Sequence, residues 1–138
     1  MKTDTLKDIY KKFNLAKDDI FVLKIGGRDK YIICRSGIEK IQAQLNIDVK
    51  YELKKISEDF KSCVVLGTGA LMKLDKATGQ KRPVLMAQSF GECTPLNNKN
   101  SYPVCMAEKR SLSRIILKLS GLASEGIYGE DEAEDFKR

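Results

Sequence analysis

The chain has 138 residues, 25 Lys and Arg against 19 Asp and Glu, a net charge of +6, four cysteines and no histidine. That length suits one domain with a real core, no apolar run approaches the ~18 residues of a membrane span, and the charged start from Met1 to Lys12 is unlike a signal peptide. Lack of histidine removes the commonest general base and His-containing zinc sites, and Cys34, Cys63, Cys93 and Cys105 form no CxxC pair, reading instead as small apolar residues of a reducing compartment.

Leu6, Ile9, Tyr10 and Phe13 recur at helical spacing and predict a short amphipathic helix within 4–16, capped by Asp4 or Thr3. Ile20–Ile25 and Lys30–Cys34 are rich in β-formers and flank Gly26-Gly27-Arg28-Asp29, so a hairpin is expected. Ser36 followed by Glu39 resembles a capping box for a helix over 37–45, with Ile38, Ile41 and Leu45 on one face and Asn46 as its end. Three strand candidates follow at 48–57, 60–74 and 82–89, the last two joined by the polar turn Asp75–Lys81. Such short connections predict an antiparallel meander. Within it, Gly67-Thr68-Gly69 reads as a bulge or a close backbone approach rather than a phosphate loop. After a loop at 91–101, Pro103 opens a long helix that Gly121 closes.

That last helix carries the functional argument. Leu112, Ile115, Ile116 and Leu119 fall on one face, expected to pack on the sheet. Arg110, Arg114 and Lys118 follow one another at i+4 on the far side, with Lys109 on the flank. Like charges at that spacing repel by a few tenths of a kcal/mol per pair, a cost that a facing polyanion would offset. Met106 and Leu117 lie off the core face and suggest a second packed surface. Arg28 and Lys30 at the first hairpin are further basic candidates, and Tyr31, Tyr51, Phe90 and Tyr102 could stack on bases, although a core role is the expectation for most of them.

Charge also divides the chain. Residues 125–138 hold six acids and two bases, leaving 23 bases and 13 acids in 1–124. The expected organisation is a basic binding core over 1–124 and an acidic C-terminal tail over 125–138. A basic body with an acidic tail is often met in nucleic-acid binders.

The order of these parts resembles the Rad-fifty-two superfamily of single-strand annealing proteins, including its short phage and mobile-element members. The resemblance rests on Tyr31-Ile32 with Arg35 leading into the first core helix, the three-stranded meander, and AEKRSLSRIILKLSGL with Lys109-Arg110, Arg114 and Gly121. It covers about residues 28–122. Arg114 falls four residues after Arg110, where the eukaryotic pattern has three, and the recruitment region of eukaryotic members is not expected here.

The resemblance implies an α+β fold, an antiparallel β-meander packed against helices in a β-β-β-α core, assembled as a homo-oligomeric ring. It implies ATP-independent binding and annealing of single-stranded DNA in recombination or phage replication, with no bond chemistry and no cofactor. The nucleic-acid-binding set is then Lys109, Arg110, Arg114, Lys118, Arg28, Lys30 and Arg35, with a host or phage single-strand-binding protein as a further partner and the cytoplasm of a bacterial host as the setting. The alternatives are a single-strand DNA or RNA module without annealing, a carboxylate nuclease for which no paired acids are evident, and an oligomer whose basic helix packs on the acidic tail of a neighbour.

Overall fold

Gly26 and Gly27 both adopt positive φ, 58° and 77°. Two such residues in succession make the tight turn whose twist matches a β-hairpin, and they join β1 (Ile20–Ile25) to β2 (Arg28–Ile33). A computed structural model describes residues 3–96 and 102–133. Before the hairpin lies α1 (Thr3–Lys12), which buries Ile9 while Phe13 is buried just beyond it.

Next comes α2 (Arg35–Leu45), ended by Asn46 in the left-handed conformation as its sequence predicts. Its start departs from the expected capping box. Cys34 is the N-cap, without a side-chain cap bond. Instead the Arg35 N–H donates to Glu130 Oε1 at 2.6 Å, from 95 residues away, and Ser36 Oγ donates to Asp19 Oδ1 at 2.6 Å.

The meander is present as β3 (Ile47–Ile56), β4 (Cys63–Leu74) and β5 (Lys81–Cys93), antiparallel in the order β3-β4-β5. The fold is therefore α+β, with antiparallel strands packed against helices. β5 runs four residues further than expected, taking in Phe90, Gly91, Glu92 and Cys93. Pairing is irregular at Leu53/Lys55 and Leu71/Met72, whereas Gly67 and Gly69 stay in regular register. Their purpose is close approach: a Cβ at Gly67 would strike Ser111 and one at Gly69 would strike Ile115. Gly91 lies against the backbone of Ala107 in the same way.

Ser111, Ile115 and Ala107 belong to α3 (Pro103–Ser120), which Pro103 opens and Gly121, at φ 81°, closes. The small residues of β4 and β5 form a trough for this helix. Its other sides meet α2 and β6 (Ile127–Gly129), which pairs parallel to β2 in a second sheet of order β1-β2-β6. Lying between two layers, α3 buries nine residues, including Leu117, so the single core face expected from the sequence is too narrow a description. Leu117 belongs to the main core with Ile33, Ile38, Ile41, Ile115, Ile116 and Ile127, and Met106 packs beside Cys63, Val65 and Cys93. Both are thus accounted for within the chain.

Candidate nucleic-acid interface

Arg110, Arg114 and Lys118 do stand in line, but the line faces the edge of β5. Arg110 Nη1 donates to the Glu92 carbonyl at 2.8 Å, Arg114 Nη1 to the Phe90 carbonyl at 2.6 Å, and Lys118 Nζ to the Gln88 carbonyl at 2.7 Å. The spacings explain the match. Four helical residues rise about 6 Å, and two strand residues rise about 6.8 Å, so i+4 cations meet alternate carbonyls of an antiparallel strand. β5 is an edge strand, and alternate backbone groups of an edge point away from its neighbour. The cations cap that edge.

This corrects the outward placement of the ridge. Arg110 is 5% exposed. Arg114 is half-buried and holds Glu92 with two bonds, Nη1 to Oε2 at 2.8 Å and Nη2 to Oε1 at 2.9 Å, while its Nε donates to Glu132 Oε1 at 2.6 Å. Those bonds raise the Arg114 pKa against the opposing effect of burial, and the Arg114 hydrogen bonds hold Glu92 below the usual carboxylate range. Lys118 remains exposed and Lys109 is half-buried on the flank.

The other basic candidates are not gathered at this helix face. Arg28 is exposed at the β1–β2 turn, and Lys30 lies 5.1 Å from the centre of the Tyr128 ring. Arg35 opens α2, where its Nε meets Glu39 Oε1 at 3.0 Å.

The acidic segment is likewise built in rather than appended, as far as it is described. Leu122, Ile127 and Ala133 are buried. Ser113 Oγ donates to Asp131 Oδ2 at 3.1 Å, Glu132 holds Arg114, and Glu130 caps α2. The fold therefore extends past residue 124 to Ala133, and residues 134–138 lie outside the described residues. The contact between basic helix and acidic tail, considered above between neighbouring subunits, occurs within one chain.

What the sequence reading missed is the free face of the meander. α3 covers the side that carries Val65, Gly67, Gly69, Ser89 and Gly91. Cross-strand partners share a face, so the opposite side carries Lys50 beside Thr68, Glu52 beside Leu66, Lys55 beside Val64, then Met86, Gln88 and Phe90 on β5. Lys50, Glu52, Lys55, Met86, Gln88 and Phe90 are all exposed on that side. Phe90 is 52% exposed and Met86 61%. Beyond them the β4–β5 hairpin ends in exposed Lys73, Lys76, Lys81 and Arg82, the last 3.5 Å from Asp75. A signal was present in the sequence: small residues at 67, 69, 89 and 91 alternate with larger ones, which marks the helix-covered face and leaves Phe90 on the other.

Tyr51 and Tyr102 are more exposed than a core role requires, whereas Tyr31 packs against the main core as expected. Tyr51 is partly open on β3, with its pKa pushed up to about 12 by burial of the phenol and by Glu108, against the opposing charge of Arg35. Tyr102 is exposed and Tyr31 half-buried. Among the described residues no group of three or more Cys, Asp and Glu is placed to hold a metal ion, and no helix is long and apolar enough to cross a membrane.

Comparison with known proteins finds no matching family, no matching curated protein and no matching solved structure.

Proposed function

We propose that the protein binds single-stranded nucleic acid on the free face of the β3-β4-β5 sheet and anneals complementary strands without ATP. The observation that carries the binding is the juxtaposition of an exposed Phe90 and Met86 on an uncovered sheet with the lysine-rich end of the β4–β5 hairpin. Sequence-tolerant single-strand binding uses this pairing, an aromatic platform for bases and cations for the backbone. The chain's net charge of +6 favours the same class of partner.

Arg110 and Arg114 hold the platform in place, because they fix the edge of the strand that carries Phe90. Phosphate contacts fall instead to exposed cations, with Lys81 and Lys76 at the hairpin and Lys55 on β3. Annealing follows from the family resemblance: strands held by their backbones keep bases free to test complementarity, and pairing supplies the free energy. Two labelled complementary oligonucleotides, mixed with the protein and no ATP, test the whole reading. Accelerated duplex formation supports it, binding without acceleration supports a single-strand binding module, and no binding at low salt rejects both.

A further inference from the structure

The two edges of the β3-β4-β5 sheet are treated differently. On β5 the outward carbonyls of Gln88, Phe90 and Glu92 are taken by Lys118, Arg114 and Arg110. Alternation across the ladder then fixes the outward groups of β3. Gln88 pairs with Thr68 and Thr68 with Lys50, so Lys50 points its backbone toward β4, while Val49, Tyr51 and Leu53 point theirs away. The Ile47 carbonyl, of the same parity, is capped by Gln42 Nε2 at 3.2 Å. Among the described residues, no hydrogen bond is found to the outward backbone groups of Val49, Tyr51 or Leu53.

We infer that β3 is a self-association edge, on which a second copy of this chain adds its own β3 antiparallel about a two-fold axis through Tyr51. The charge pattern selects the partner and the register. With Tyr51 facing its counterpart, Lys50 faces Glu52 of the other copy and Val49 faces Leu53, while Lys54, at the irregular Leu53/Lys55 step and 3.0 Å from Glu52 of its own chain, sits at the end of the paired stretch on the side of Asp48. The Lys50–Glu52 pair occurs twice, since a two-fold contact repeats every pair. Moving the axis to Lys50 would set Lys50 against itself and Asp48 against Glu52, and like charges directly opposite are destabilising. The exposed Leu53, at 50%, and the partly open Tyr51 would be covered in the favoured register.

Edge lysines often serve to prevent strand addition. Here they alternate with acids in an order that is complementary to itself. The occupied β5 edge also closes off head-to-tail addition of β3 to β5, so the contact closes as a pair rather than extending into a strand-added fibre or into a strand-added form of the ring that the resemblance implies. The result is one six-stranded sheet with a continuous free face.

The proposal does not depend on nucleic-acid binding and is tested on nuclease-treated protein by light scattering after size exclusion, at tens of micromolar. Wild type is expected at twice the 15.5 kDa chain mass. Lys50→Glu should give the monomer, and the double change Lys50→Glu with Glu52→Lys should restore the pair. Tyr51→Pro removes an outward N–H, which an edge strand tolerates, and should give a folded monomer by circular dichroism. A wild-type monomer, a pair that survives both Lys50→Glu and Tyr51→Pro, or a charge swap that fails to restore association would each overturn the proposal.

Discussion

Arg114 and Glu92 form a two-pronged ion pair, with nitrogen–oxygen distances of 2.8 and 2.9 Å, that ties the middle of the central helix to the edge strand of the sheet. Planar guanidinium matches planar carboxylate in this arrangement, which lysine cannot reproduce. The same side chain reaches the Phe90 carbonyl and Glu132, so it joins three parts of the fold.

Arg114→Ala is accordingly expected to lower stability by about 2 kcal/mol, discounted from the buried case because both partners are partly solvated. Urea unfolding monitored by circular dichroism reads this directly. Arg114→Lys should recover less than half of the loss. Unchanged stability in the alanine variant would return Arg114 to the role of a solvent-facing phosphate contact.

The helix trough makes a second prediction. A Cβ at Gly91 meets the backbone carbonyl of Ala107, which cannot swing aside, whereas one at Gly26 meets nothing within 4 Å and suffers only from its positive φ. Gly91→Ala should therefore cost several-fold more than Gly26→Ala, for which about 1 kcal/mol is expected. Equal midpoints for the two variants in thermal melts would contradict the close packing of α3 on β5.

Acid should destabilise the protein through two carboxylates. Burial alone would raise the pKa of Asp19, but hydrogen bonds from Lys40, Ser36 and the Ala16 N–H, with the Lys40 charge, outweigh it and leave the group lowered. Glu92 is lowered chiefly by Arg114. A carboxyl that titrates lower when folded contributes fully above its unfolded value, about 4, and that contribution disappears as pH falls through the folded value. Urea midpoints should hold from pH 7 to 5 and fall below 4. Asp19→Asn should start less stable and show a shallower acid limb; a limb as steep as wild type would remove Asp19 from this account of acid lability.

Local chemistry made much of this fold legible. Two glycines announced the first hairpin, Asn46 the end of α2, Pro103 and Gly121 the limits of α3, and alternation the three-stranded meander. The errors share a cause: their partners are distant in sequence or are backbone atoms. Ser36 looks like a cap, yet the cap of α2 comes from Glu130. Arg110 looks like a surface cation, yet its acceptor is a carbonyl of β5, which no side-chain pattern reveals. A helical wheel divides residues into one buried and one wet face, which fails for a helix held between two layers. The acids of 130–132 look solvated by composition because their ligands, Arg35 N–H, Ser113 and Arg114, lie elsewhere in the chain.

Placement of nucleic acid on the free sheet face is tested most directly by fluorescence anisotropy of a labelled single-stranded oligonucleotide, titrated at several salt concentrations with wild type, Phe90→Ala and Lys76→Ala/Lys81→Ala. Phe90→Ala should weaken binding by ~1–3 kcal/mol, the usual worth of a base stacked on an aromatic ring, with its melting curve unchanged. The double lysine variant should reduce the salt slope by about 1.4, at roughly 0.7 per phosphate contact on a single strand. Wild-type affinity and slope in both variants, while binding persists, would contradict the assignment of this face.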